Sequence, residues 1–356
     1  MVGLFGRRSS RFVTLLTLAV GLLAFSSGAF ATLDVRAAYQ NAALSIDGVV
    51  STGPSDIQQV QVDTPTGATV LAAYLYVSDV FGSGATGDVT LNGTFIPQAD
   101  GTLLTPDANP ANTRVFDVTS IMAPAITGGL QNFDYSESGY SDGAALAVIY
   151  RTPTTDGTAI LMDGELAQAG DTTRLDFSEA YTSGDVIMSL ASSYSYNGDS
   201  DVNATGQVTT VDVTTDSTTS RRLTGCAGGN DDGNFISANG QLMTVGGIGD
   251  SSDNPDPTCA GGAGDDELYN LGAGNSADPT AFLQAGDTFV ELDTTNPSFD
   301  DNVFFLAFTS TFTVSSVDGE VIPDDGGPTS VPEPGVLGLL GIGLVGIACS
   351  RRRKKL

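Results

Sequence analysis

The chain has no histidine, no tryptophan and only three cysteines in 356 residues. Without histidine, Ser-His-Asp and Cys-His catalysis are excluded, as are zinc sites built on imidazole. Lysine occurs only at Lys354 and Lys355. Residues 32–334 hold six arginines, no lysine and all 42 acidic residues, a formal charge of −36. Ser-Lys hydrolysis, Schiff-base chemistry and Lys–Asn isopeptide crosslinks therefore lack their lysine there. A body of this charge repels nucleic acid and anionic lipid, so neither is a partner. The carboxylate pair of a glycosidase is the one catalytic arrangement with its ingredients present, and no motif singles out such a pair. Without tryptophan, sugar stacking would fall to the ten tyrosines.

Glycine, threonine, serine and aspartate dominate what is present, and 35 of the 42 acids are Asp rather than Glu. Asp favours turns and loop cation sites and is poor in helices. The composition therefore predicts an all-β protein with many turns, and about 300 residues suffice for one large or two modest domains. Strand-like runs lie at 70–77, 88–91, 114–118, 144–150, 158–162, 186–190, 208–213, 288–292 and 302–312. Most are bounded by Gly, Asp, Pro or Asn, and several alternate apolar with polar residues. Only 119–126 reads as briefly helical, with Thr119 or Ser120 as cap. Short, evenly spaced strands without an internal repeat point to a β-sandwich rather than a solenoid.

Residues 223–281 break this pattern: they are dense in Gly, Asp and Asn and poor in apolar residues. So long a segment must be tied down, functional or disordered. Cys226 and Cys259 lie inside it, and in an oxidising exterior they are expected to pair and staple the insertion. Residues 315–330 read as a polar linker after a body spanning 32–314.

Both ends carry addressing signals. Arg7, Arg8 and Arg11 form a basic start, residues 12–25 an apolar core, and Ala29-Phe30-Ala31 a small-x-small cleavage site. This is a signal peptide over residues 1–31, and its strongly apolar core favours the Sec translocon over twin-arginine export. At the other end Val331-Pro332-Glu333-Pro334 precedes an uncharged apolar run at 335–349 and the cations Arg351, Arg352, Arg353, Lys354 and Lys355. The prolines keep the short motif extended and accessible. The apolar run enters the inner membrane as one helix, and the basic tail holds its far end in the cytoplasm. The run is 15 residues, short of the roughly 20 that an ordinary tail anchor needs.

Residues 331–356 resemble the PEP-CTERM sorting signal of Gram-negative bacteria, a signature that also carries an ice-binding-protein C-terminal label. The resemblance implies that exosortase reads Pro332-Glu333-Pro334 and that the protein is sorted to the envelope or extracellular matrix, alongside exopolysaccharide and biofilm. Ala73-Tyr74-Leu75-Tyr76, Phe116-Asp117-Val118-Thr119-Ser120, Asp142-Gly143-Ala144-Ala145-Leu146 and Asn296-Pro297-Ser298-Phe299-Asp300-Asp301-Asn302 resemble an uncharacterised bacterial surface β-sandwich domain. That second resemblance implies a sandwich and an envelope setting, and no reaction.

Calcium is the cofactor the residues suggest. Asp199-Ser200-Asp201-Val202-Asn203 alternates oxygen ligands, although Ala204 replaces the glycine of an EF-type loop. Asp265 and Asp266 sit in a single nonapeptide of β-roll type, and Asp300 and Asp301 form another oxygen cluster. Solvated turns account for each equally well. The sequence thus predicts a non-catalytic exported protein, with a carbohydrate-active hydrolase and an adhesive or ice-binding module as alternatives. For ice, residues 209–219 are the one threonine-rich stretch, and they lack a repeated flat array.

Overall fold

The computed structural model describes residues 33–51, 53–79, 86–104, 112–139, 141–166, 169–193, 209–227, 243–254, 256–258, 267–297 and 302–324, apart from the side chains of 226 and 302. In chain order the first strands are β1 (Asp34–Gln40), β2 (Ala43–Val50), β3 (Gln58–Thr64), β4 (Thr69–Ser78), β5 (Val89–Leu91), β6 (Thr94–Ile96), β7 (Thr102–Leu103), β8 (Arg114–Asp117), β9 (Gly129–Glu137) and β10 (Gly143–Arg151). They are followed by β11 (Thr158–Asp163), β12 (Asp171–Phe177), β13 (Val186–Ser193), β14 (Thr209–Thr215), β15 (Arg221–Ala227), β16 (Met243–Val245), β17 (Leu268–Asn270), β18 (Phe289–Thr295), β19 (Asn302–Ser310), β20 (Val314–Val317) and β21 (Glu320–Val321). The protein is nearly all β, and each strand run expected from the sequence is a strand or lies mostly within one.

The one α-helical turn among the described residues, α1 (Thr119–Met122), is shorter than expected. Pro124 has no N–H for the Ser120 carbonyl, so the helix cannot run on to residue 126. Neither Thr119 nor Ser120 caps it: Val118 is the N-cap residue, and the Thr119 hydroxyl instead accepts the Ala73 N–H at 2.9 Å.

Four sheets form. Sheet I runs β3-β9-β5-β6, sheet II β2-β10-β4-β8-β7, sheet III β1-β11-β19-β13-β16 with β17 also on β13, and sheet IV β15-β14-β18-β12-β20-β21. Their apolar faces define the stacking order. Val60, Val62, Phe133 and Leu91 of sheet I pack on Leu75, Leu146 and Val148 of sheet II. The opposite face of sheet II gives Tyr76, Ala145, Ala147 and Ile149, which meet Ala159, Leu161, Phe304, Phe305 and Ala307 of sheet III. The far face of sheet III packs Ile160, Met162, Met188, Leu306 and Phe308 on Leu175, Val211, Val213, Val290 and Leu292 of sheet IV. The result is two β-sandwiches back to back, I with II and III with IV, closed by a third core between them.

This layering accounts for the two kinds of strand in the sequence. Sheets II and III are buried on both faces, so β11 is buried at every residue and β10 at its first seven, and both read as continuous apolar runs. Sheets I and IV keep one wet face, so β3, β12 and β18 alternate. The central core is rich in alanine, which lets sheets II and III approach closely. At Gly48 an added Cβ would lie 2.7 Å from Val245 Cγ2, so this approach leaves no room for a side chain. A bulge in the β13–β19 pairing places Phe304 and Phe305 on the same side, where both rings pack against Tyr76.

The sandwich of sheets I and II is a chain insertion between β1 and β11, which pair with each other from Asp34↔Asp163 to Gln40↔Thr158. Two tight corners make the crossing possible. Asn41 (φ 54°) turns β1 into β2, and the Arg151 guanidinium at the end of β10 donates to the carbonyls of Asn41 (2.9 Å) and Gln40 (2.8 Å). At Gly157, before β11, an added Cβ would fall 1.7 Å from the Ser310 carbonyl oxygen. The edge of sheet I is covered too: β3 donates its Gln61 and Asp63 N–H groups to the side chains of Asp47 (2.5 Å) and Ser45 (2.9 Å) on β2.

Within the Gly/Asp-rich segment 223–281, Leu223, Met243, Val245, Tyr269 and Leu271 are fully buried core residues, while Ile248 and Leu268 are half-buried. The Asn254 amide ties the segment down, donating to the carbonyls of Asn270 (2.9 Å) and Gly274 (3.0 Å) and accepting the Asn270 N–H (3.0 Å). The linker expected at 315–330 begins later than the sequence suggested. β20 and β21 extend sheet IV through residue 321, and Ile322 is buried behind them. Asp318 (φ 49°) and Gly319 (φ 81°) form the two-residue turn of that hairpin, as Asn92-Gly93 does between β5 and β6.

Candidate functional site

The six arginines of the body are all committed within the fold. Arg36 grips Asp163 through Nε (2.6 Å) and Nη2 (3.0 Å). Arg114 donates to the Gly101 carbonyl and Arg151 to the β1–β2 corner. Arg174 lies over the Phe289 ring and pairs with Asp176 and Glu291. Arg221 covers Phe282 and donates to the Asp278 and Thr280 carbonyls, and Arg222 holds Asp212 at 2.8 and 3.0 Å. Among the described residues, each of these cations is thus engaged with a partner of the fold.

One end of the stack has a polar floor. Ser51 donates to Glu137 Oε1 (2.8 Å), as do Ser141 Oγ (2.6 Å) and Ser141 N (3.0 Å), joining the ends of sheets I and II. Ser193 donates to Asp142 Oδ2 (2.6 Å), and Thr113 N to Glu165 Oε1 (3.3 Å), joining sheets II and III. Nearby, Tyr76 OH donates to Asp163 Oδ2 at 2.9 Å. Burial lifts the Asp163 carboxyl above its ordinary value, although Arg36 and Tyr76 both oppose this. Sequence reasoning noted Tyr76 and Asp142 only within the surface-domain resemblance and missed the others. Glu137 and Asp163 close strands of otherwise apolar inward faces, and that was the available signal.

The candidate sorting, cleavage, disulfide and calcium residues named from the sequence lie outside the described structure. They are Asp199, Asp201, Asn203, Asp265, Asp266, Asp300, Asp301, Ala29, Ala31, Cys259, the side chain of Cys226, and the signal at Val331, Pro332, Glu333, Pro334 and Arg351–Lys355. Among the described residues no group of three or more Asp, Glu or Cys could hold a metal ion. No helix among them is long and apolar enough to cross a membrane.

A cleft of about 340 Å³ opens where the face of sheet III runs past β2, the edge strand of sheet II. Leu44 of β2, Ile187 of β13, Leu268 of β17 and Ile248 make its apolar walls, while Asp63, Tyr150 and Thr309 bring polar groups to it. The Ile248 N–H closes one side on the Ile46 carbonyl at 2.9 Å. That loop approaches so closely that an added Cβ at Gly247 would lie 2.3 Å from the same oxygen. Burial and the neighbouring Asp63 charge raise the pKa of Tyr150.

Residues 330–353 match the family model described as the PEP-CTERM protein-sorting motif. The chain therefore carries an exosortase sorting signal and is an exported, envelope-directed protein. No curated protein matches it.

Proposed function

We propose that the protein is a non-catalytic component of the cell envelope or extracellular matrix, delivered by its termini and retained in contact with exopolysaccharide. The sorting motif at 330–353 is the observation that carries this reading. Export through Sec removes residues 1–31. The apolar run then holds the chain in the inner membrane while exosortase reads Pro332-Glu333-Pro334, and processing releases the β body outward. The absence of histidine and of body lysine supports a binding role over a catalytic one. In the oxidising exterior Cys226 and Cys259 pair.

The test is mass spectrometry of the C-terminal peptide in the native host. Wild-type protein should lose residues 335–356, whereas Glu333→Ala, or deletion of residues 351–355, should leave the tail attached and the chain exported. A wild-type tail that persists, with membrane extraction unchanged by either change, would refute sorting. In a host unable to make exopolysaccharide, processed protein should move from the envelope fraction to the medium. Unchanged retention there would refute the matrix contact.

A further inference from the structure

We infer that the cleft between the two sandwiches is a binding site for a short neutral saccharide, one or two rings at the end or side of a glycan. The inference rests on the matrix reading above and supplies its point of contact.

The volume, about 340 Å³, is at the lower end for small-molecule sites, so the cleft encloses one or two rings and does not thread a polymer. Its walls match the two surfaces of a pyranose. Leu44, Ile187, Ile248 and Leu268 are half-buried aliphatic side chains, suited to the C–H face of a ring. Opposite chemistry comes from Asp63, Tyr150 and Thr309, whose side chains make no hydrogen bond among the described residues. A carboxylate accepts from two adjacent hydroxyls at once, and the Tyr150 and Thr309 hydroxyls can donate or accept. The Ser45 hydroxyl, already accepting the Asp63 N–H, has its own proton to give.

Charge decides between ligand classes. Asp63 and Tyr150 are the titratable groups on the lining, and no cation is among them. The six arginines are held elsewhere, so a uronate or phosphorylated sugar would bring its charge toward Asp63 with nothing to offset it. A neutral sugar brings hydroxyls and no charge. The site is also built rather than incidental: Ser45, Ile46, Ser189, Gly246 and Ala307 at its base are buried, and the glycine-dependent approach of the 246–250 loop shapes its wall.

The experiment uses full-length exported protein in a detergent without a sugar headgroup. Saturation-transfer NMR and calorimetry are run with neutral gluco-, galacto- and manno-configured di- and trisaccharides, a galacturonate trisaccharide and a Thr-Val-Thr-Val-Thr peptide. At least one neutral saccharide should bind. Asp63→Asn and Tyr150→Phe should each weaken it about tenfold, the effect of losing one hydrogen bond to or beside a charge. Ala43→Trp, at the cleft mouth, should abolish binding while leaving the melting temperature within a few degrees. Three results would overturn the proposal: no neutral saccharide binding at millimolar concentration, preference for the galacturonate or the peptide, or binding indifferent to all three substitutions. Because the assay reads purified protein, its failure is separable from failure of tail processing or of envelope retention.

Discussion

Removing Arg36 should expose how much the joint between the sandwiches depends on one ion pair. Asp163 is 4% exposed in its side chain and Arg36 31%. Arg36 makes two of the three hydrogen bonds on that carboxylate, and Tyr76, with its fully buried ring, makes the third. Arg36→Ala therefore strands a buried acid with a single neutral donor. Removing one partner of a buried pair costs about 3–5 kcal/mol. Because Arg36 is partly exposed, the lower end applies, about 3 kcal/mol or roughly 5 °C in a chain this long. The loss should depend on pH in a defined sense. Burial already raises the folded-state pKa of Asp163, and losing Arg36 raises it further. A carboxyl raised in the folded state stabilises fully below its unfolded value and loses that stabilisation as pH rises through the folded one. The deficit of the variant should thus be largest at pH 8 and shrink towards pH 5. Arg222→Ala removes the same charge from an exposed pair, Arg222 being 42% exposed, and should cost at most about 1 kcal/mol. Urea denaturation followed by far-UV circular dichroism gives both numbers. The reasoning fails if Arg36→Ala costs no more than Arg222→Ala, or if its deficit is the same at pH 5 and pH 8.

Asp47, pushed up to about 6 by burial although the N–H groups of Gln61 and Gly48 pull it down, makes the wild type lose stability as pH rises from 4 to 6. The change from 3.8 to about 6 corresponds to at most about 3 kcal/mol, and Asp47→Asn should flatten that part of the stability profile. Gly157→Ala should prevent accumulation of folded protein, because the new Cβ meets backbone at 1.7 Å. By contrast Gly67→Ala, with open space but φ +81°, should cost only about 1–2 kcal/mol, so equal yields of the two would contradict the close approach. If calcium occupies the acidic loops, low-millimolar CaCl₂ should raise the melting temperature more than NaCl at matched ionic strength, and paired Asp199→Asn and Asp201→Asn, or Asp265→Asn and Asp266→Asn, should blunt the gain. Identical melting in the two salts would leave the acids as a solvated surface.

Much of this protein was legible along the chain because the signals are local. Strands show in the spacing of apolar residues, as in β10 and β11, and export and sorting show in short segments whose chemistry is read in an extended state. Absent residue types removed whole reaction classes without any geometry. Local patterns failed where neighbours decide. The hairpin of β20 and β21 is too short to stand out from a polar linker, although Asp318-Gly319 was a turn signal, and it persists because sheet IV pairs with it. A continuous apolar run tells that both faces of a strand are covered, but not by which sheets, so one sandwich and two fused back to back read alike. Only the tertiary structure inserts the first sandwich between β1 and β11, brings Arg36 and Asp163 together across 127 residues, and commits each arginine to an internal partner. The cleft belongs wholly to that level. Asp63, Tyr150 and Thr309 are unremarkable in sequence, and they share a site because the face of sheet III extends past the edge of sheet II.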